Sequence, residues 1–212
     1  MQPFTSHTGK VVGIDRVNVD TDQMIPKQFC KWVTREGYGR VLFYNWRYTD
    51  GKKPDPEFIL NHKRYDGASV LIARANFACG SSREHAVWGV LDYGFRVVLA
   101  PSFGDNFYNN SFKNGLLPVR LPSKVMDDMF QKVAADESYE ISVDLESQKV
   151  TDNHGLEESF EIDPGRKERL LNGLDDIGLT LALADKIKAF ESANPRSAPM
   201  FDPVDLTVTG LK

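Results

Sequence analysis

Cysteine is almost missing from this 212-residue chain: Cys30 and Cys79 are the whole complement. Two thiols with no Cys-x-x-Cys are too few for a cage of three or four thiolates. The chain by itself is therefore not expected to hold an iron–sulfur cluster through the usual ligand set. A disulfide is disfavoured in a reducing compartment, and both cysteines read as small residues in or near the core. Long apolar runs are missing too, since none approaches the ~20 residues of a membrane span. The opening Met-Gln-Pro-Phe-Thr-Ser-His has neither the charged nor the apolar region of a secretory signal, so the expected compartment is the cytoplasm. There is no excess of positive charge: 26 Lys and Arg against 30 Asp and Glu give −4, which argues against a nucleic-acid partner. Phosphate-binding signatures of the forms Gly-x-x-x-x-Gly-Lys-Ser/Thr and Gly-x-Gly-x-x-Gly do not occur. What remains is ordinary globular composition, 41% hydrophobic and 26% charged, long enough for one substantial core.

The chain reads as alternating strands and helices. Lys10–Val19 reads as a first strand, ended by the polar loop Asn18–Asp22. A short helical turn follows over Pro26–Trp32, broken by Gly37-Tyr38-Gly39. Val41–Trp46 is apolar, Asp50–Pro56 is a turn-rich loop, and Phe58–Asn61 reads as a helical end. Ala68–Ala75 predicts a buried strand, Ser81–Tyr93 a helix closed by Gly94, and Phe95–Ala100 a second strand. Strand, helix and strand in about 30 residues predict a right-handed βαβ unit with parallel pairing. A helix within Phe103–Gly115, a strand at Leu116–Leu121 and a helix over Ser123–Ala135 come next. Tyr139–Val143 and Gln148–Thr151 alternate as a hairpin, Phe160–Ile162 adds a short strand, and Arg166–Asn172 and Leu181–Ser192 read as helices. From Asn194 the composition turns polar, with Pro195, Pro199 and Pro203. The division expected is one α/β domain over 1–193 and a Pro-containing tail over 194–212, loosely ordered unless a partner holds it.

The chemistry concentrates in Cys79-Gly80-Ser81-Ser82-Arg83-Glu84-His85-Ala86. The stretch sits between a predicted strand and a predicted helix, and puts two hydroxyls, a guanidinium and a glycine at a helix N-terminus. Free N–H groups and the helix dipole favour anions there. Ser81 and Glu84 also have capping-box spacing, which explains both residues without chemistry, but explains neither Arg83 nor the doubled serine. A serine-hydrolase elbow is excluded because Glu84 stands where Gly-x-Ser-x-Gly needs its second glycine.

These residues, with others in the same order, resemble a known family. Gly80–Ala86 resembles the signature of the aconitase superfamily's swivel domain, and Asn18–Pro26 (Asn-Val-Asp-Thr-Asp-Gln-Met-Ile-Pro) its first loop. Ala100–Phe103 and Asn109–Pro118 resemble its later segments. Asn172–Leu181 is similar to the C-terminal segment of the small subunits of bacterial 3-isopropylmalate dehydratases. The resemblance covers roughly residues 1–193. It implies an α/β fold, a three-layer β/β/α swivelling domain with the βαβ unit at about 68–100. It implies a heteromeric hydro-lyase of leucine biosynthesis that isomerises 2-isopropylmalate to 3-isopropylmalate by dehydration and rehydration. It also implies a large-subunit partner that carries a [4Fe–4S] cluster, with no cofactor and no metal on this chain.

The resemblance gives Ser81 the role of base, and Ser82 and Arg83 that of substrate-carboxylate binding. A serine hydroxyl is a poor base at neutral pH unless positive charge and aligned N–H groups stabilise its alkoxide; Arg83 and a helix N-terminus supply both. Gly80, Glu84 and His85 read as capping or support. Asp20, Thr21 and Asp22 either line the site at a strand end or form a plain turn. Residues 30–39 fall where the family has a mobile recognition loop: Gly37 and Gly39 permit movement, Arg35 is a candidate for a distal carboxylate, and Trp32 and Val33 for an isopropyl group. Citrate, homocitrate, methylmalate or maleate remain alternative substrates, and a non-catalytic binding or regulatory module the alternative of another class.

Overall fold

The computed structural model describes residues 1–50, 52–80 and 82–194. The chain divides into one unit ending at Asp175 and a second beginning at Asp176. In chain order the elements are β1 (Ser6–Ile14), α1 (Thr21–Met24), α2 (Tyr44–Arg47), β2 (Tyr48–Thr49), β3 (Lys53–Pro54), β4 (Val70–Ala73), α3 (His85–Tyr93), β5 (Val97–Ala100), α4 (Asp105–Asn114), β6 (Leu117–Arg120), α5 (Ser123–Ala135), β7 (Glu140–Asp144), β8 (Lys149–Asp152), β9 (Glu157–Ser159), α6 (Pro164–Asn172), α7 (Asp176–Leu181) and α8 (Ala184–Ala193).

Seven strands form one mixed sheet in the order β6-β5-β4-β1-β7-β8-β9, and β2 and β3 pair separately. Strand β1 joins the two halves. Its residues 11–14 run parallel to β4, while residues 6–10 run antiparallel to β7. The parallel half is β1, β4, β5 and β6, and Val70–Ala73 and Val97–Ala100 are buried at every position. Continuous apolar strands of this kind are what a parallel sheet covered on both faces requires. Helix α5 packs on β1, β4 and β5, close enough that a Cβ at Gly13 would stand 2.6 Å from the Phe130 ring. The expected βαβ unit is present: β4 and β5 pair in parallel across α3, and Gly94, at φ +119°, ends the helix.

Several boundaries differ from the sequence reading, each for a physical reason. The first strand is Ser6–Ile14 rather than Lys10–Val19. Polar Ser6 and Thr8 find ladder partners on β7, whereas Asp15–Asn18 are exposed and Asn18 adopts φ +54°. Strand β9 is Glu157–Ser159 rather than Phe160–Ile162, because a charged edge strand carries no hydrophobic pattern. Phe160 is buried beyond its end. Helix α6 begins at Pro164, two residues early, with Asp163 accepting the Arg166 N–H, an Asp-Pro start. The helix expected over Leu181–Ser192 is α8, shifted to Ala184–Ala193, and the sequence reading missed a further short helix before it, α7. Neither buries a side chain, and Ile177, Leu181 and Phe190 are well exposed, so both belong to the second unit. The tail beyond Asn194 lies outside the described residues.

A polar knot ties α5 to the β7–β8 hairpin. The Asp152 carboxylate, with a fully buried side chain, accepts from Lys132 Nζ at 2.9 Å and Tyr139 OH at 2.8 Å. It also accepts from the His154 and Leu156 N–H groups, both at 2.8 Å. Burial alone would raise this carboxyl, but the Lys132 ammonium and the converging donors outweigh it and hold it down to about 2. A carboxyl depressed from 3.8 to about 2 stabilises the fold fully above its unfolded value and loses that contribution as pH falls towards 2. The shift corresponds to about 2 kcal/mol. Asp152→Asn is therefore expected to lose about 2 kcal/mol at pH 7 and almost nothing near pH 2. Urea unfolding of both proteins at the two pH values measures this; an equal loss at both refutes the charge argument.

Candidate functional site

Parallel strands end on one edge of a sheet, so the loops that follow them meet there. The loops after β1, β4 and β5 are laced together by backbone bonds. The Thr21 N–H donates to the Cys79 carbonyl at 2.9 Å and the Cys79 N–H to the Val19 carbonyl at 3.0 Å. The Phe77 N–H donates to the Ser102 carbonyl at 3.0 Å, and the Gly104 N–H to the Phe77 carbonyl at 2.9 Å. Gly80 is required at this crossing: it adopts φ +97°, and a Cβ would stand 2.4 Å from Asp20 Oδ2.

The helix begins three residues later than the capping-box spacing of Ser81 and Glu84 predicts. Helix α3 starts at His85, and Glu84 itself occupies the N-cap position with no side-chain cap bond. Its carboxylate instead accepts from Asn114 Nδ2 at 3.5 Å. The turn at Gly80 and the pull of side chains on both flanks keep Ser82–Glu84 outside the helix. Asn110 Nδ2 holds the Ser82 carbonyl at 3.2 Å, and Arg83 reaches across to the first loop. Ser81 lies outside the described residues.

Arg83 is the centre of the described site. Its guanidinium donates to the Asp22 carboxylate and to Cys30 Sγ, the latter at 2.9 Å. Lys27 Nζ stands 3.7 Å from the other oxygen of Asp22. The three acidic-loop candidates divide their work. Asp20 caps α1, accepting the Asp22 N–H at 2.6 Å and donating its own N–H to Gln23 Oε1 at 2.9 Å. Thr21 is buried, and Asp22 pairs with Arg83. Cys30, read as lying in or near the core, is half-buried, packs against the core and also meets Arg83. Cys79 is also half-buried, and burial, then the nearby Asp20 carboxylate, push its thiol up. The His85 ring lies between Tyr38 (5.3 Å) and Trp88 (4.8 Å). Burial first and the Arg83 charge second lower its pKa, so it is neutral at pH 7. Among the described residues its buried Nδ1 has no hydrogen-bond partner.

The 30–39 segment borders the same region. Trp32 is half-exposed and packs on Phe29 and Tyr38, each at 5.3 Å, while Val33 is 99% exposed. Arg35 stacks over the Trp88 indole at 5.2 Å, one turn along α3 from His85. Two clefts flank the segment. One, of about 310 Å³, is lined by Arg35, Trp88, Leu91, Asp92 and Asn114. The other, of about 520 Å³, includes Trp32, Thr34, Glu36 and Gly37. Arg35 and Arg83 thus flank the His85–Trp88 pair. Sequence reasoning missed Tyr38, Asn110 and Asn114 as parts of this site. The last two stood inside Asn109–Pro118, a motif visible in the sequence but without an assigned role.

The donor set does not fit an iron–sulfur cluster. Arg83 occupies Cys30 and burial protonates Cys79. No group of three or more His, Cys, Asp and Glu among the described residues has metal-binding geometry. No helix among the described residues is long and apolar enough to cross a membrane.

Comparison with known proteins gives consistent results. A family model described as the aconitase C-terminal domain matches residues 1–124, and one described as LeuD_N matches 127–164. A third, for the C-terminal domain of the 3-isopropylmalate dehydratase small subunit, matches 176–204. A curated protein from Brevibacillus brevis, a 3-isopropylmalate dehydratase small subunit, is 55% identical over 192 residues, 91% of this chain and 99% of that protein. The crystal structure of a 3-isopropylmalate dehydratase (leuD) from Methanocaldococcus jannaschii superposes with a TM-score of 0.60 at 23% identity, over 89% of this chain and 98% of that one. At that identity it speaks for the fold.

Proposed function

The chain belongs to the family of 3-isopropylmalate dehydratase small subunits, and from that premise we propose that it supplies the proton-transfer and carboxylate-binding half of a hydro-lyase active site. The single observation that carries the reading is Arg83, poised before α3 at the carboxyl edge of the parallel sheet and already engaged by a carboxylate, that of Asp22. A substrate carboxylate has the same chemistry as that partner. It takes Asp22's place on the planar guanidinium, and Lys27 stands ready to keep the displaced Asp22 paired. Ser81 takes the proton from the carbon next to a carboxylate, a role in which a serine alkoxide needs positive charge and aligned N–H groups to stabilise it. Loss of that proton and of hydroxide from the neighbouring carbon leaves an alkene. Return of water in the opposite sense gives 3-isopropylmalate from 2-isopropylmalate. Neutral His85 supports the Tyr38–Trp88 wall, and Ser82 shares the carboxylate with Arg83. Trp32, Val33 and Arg35, carried between Gly37 and Gly39 at one end and Cys30 at the other, recognise the rest of the substrate.

A second half is needed, since this chain's donors do not make a cluster site. We assign a [4Fe–4S] cluster to the large subunit, where it would supply Lewis-acid chemistry. The assembly is placed in the cytoplasm, in leucine biosynthesis. The test is activity of the purified chain alone and mixed with an anaerobically reconstituted large subunit, offered 2-isopropylmalate and then citrate, with alkene absorbance as readout. Turnover is expected in the mixture only, and of isopropylmalate. Turnover of citrate instead moves the substrate, and silence from a cluster-loaded mixture sinks the catalytic reading.

A further inference from the structure

We propose that Asp92 is a positioning residue for substrate side-chain recognition: it fixes the returning end of the 30–39 loop on the same helix that presents Arg83. The proposal rests on the reading above that this loop lines the substrate site.

Asp92 lies near the end of α3, more than fifty residues from the loop in sequence, yet one oxygen of its carboxylate, Oδ2, accepts from two loop N–H groups. Gly37 N–H reaches it at 3.1 Å and Gly39 N–H at 2.7 Å. Hydrogen bonds to an ionised acceptor are the stronger kind. Both glycines are needed for the approach. Gly37 adopts φ +92°, and a Cβ at Gly39 would stand 2.6 Å from Asp92 C and Tyr93 N, so the loop's backbone lies directly on the helix's. Tyr38, between them, is fully buried, donates its hydroxyl to the Phe29 carbonyl at 3.1 Å, and sets its ring 5.3 Å from His85. The loop is thus closed at its base from both ends, and its exposed tip holds Val33.

One rigid element therefore measures the site. Arg83 precedes α3, His85 opens it, Trp88 carries Arg35, and Asp92 holds the loop's return. His85 and Asp92 are seven residues apart, about 10 Å along a helix. The Asp92 carboxylate spends its hydrogen bonds on the loop backbone, so its influence on substrate runs through the loop. Without it, Gly37 and Gly39 lose the carboxylate that anchors them, and the tip samples positions that no longer favour a branched side chain.

Asp92→Ala and Asp92→Asn, assembled with the large subunit, test this with 2-isopropylmalate and 2-methylmalate as substrates. Asp92→Ala is expected to raise KM for 2-isopropylmalate about tenfold, a 1.4 kcal/mol loss, with kcat within about twofold, and to lower its preference over 2-methylmalate by a similar factor. Asp92→Asn keeps an oxygen that accepts both N–H groups and is expected to stay near wild type. In the free chain, trypsin cleavage after Lys31 and Arg35 is expected to quicken several-fold in Asp92→Ala and not in Asp92→Asn. Unchanged KM and preference in Asp92→Ala, a loss confined to kcat, or no rescue by asparagine overturns the proposal, as does unchanged cleavage. If the wild-type assembly turns over neither substrate, the functional reading has failed, and the cleavage pattern still decides whether Asp92 anchors the loop.

Discussion

Ser81→Ala in the assembled enzyme is expected to lower kcat by about 10²–10⁴-fold, the usual contribution of a positioned acid–base group, and to leave KM for 2-isopropylmalate nearly unchanged. The reason is chemical. The proton to be removed is only weakly acid, and the acid–base groups that follow Ser81 in the chain are committed elsewhere. Glu84 is held by Asn114, and His85 is walled by Tyr38 and Trp88. On the proposed role the same oxygen returns the proton in the reverse direction, so hydration of the pre-formed alkene is expected to fall by the same factor. Steady-state kinetics from both ends measure this, with thermal unfolding as the control for folding. A kcat within tenfold of wild type, or a loss in one direction only, removes Ser81 from the role of base.

Arg83→Ala is expected to lower kcat/KM by about 10²–10³-fold, since truncating one partner of a hydrogen-bonded charge pair in a binding site costs about 2–5 kcal/mol. Arg83→Lys does not restore it, because a point charge lacks the fork that matches a carboxylate. The fold is spared. The Arg83 and Asp22 side chains are 29% and 40% exposed, and pairs so open to water contribute no more than about 1 kcal/mol. Kinetics and urea unfolding on the same variants separate the two quantities. A large drop in stability with unchanged kcat/KM makes Arg83 a structural ion-pair partner and nothing more.

The sequence determined a good deal. The parallel half of the sheet was legible because β4 and β5 are continuous apolar runs on either side of a glycine-capped helix, and because α5 starts at Ser123 after a proline. The hairpin of β7 and β8 was legible from its alternation. Arg83 stood out because no capping pattern accounts for it. The same local reasoning failed where a pattern had two meanings. Ser-x-x-Glu is a capping box only if the backbone is free to be helical there. The Gly80 crossing against Asp20 and the ties from Asn110 and Asn114 hold Ser82–Glu84 out of the helix. Edge strand β9 was misplaced because charged residues on an edge leave no hydrophobic signal.

What the tertiary structure alone decided are the pairings between loops far apart in the chain. Asp22 meets Arg83, Cys30 meets Arg83, and Gly37 and Gly39 meet Asp92. Each joins a segment after β1 to the stretch after β4. Periodicity and capping report on a residue's nearest turns and cannot rank partners fifty or sixty positions away. The parallel register of β1 beside β4 sets those two loops side by side, and only then does Cys30, read as lying in or near the core, become a neighbour of Arg83.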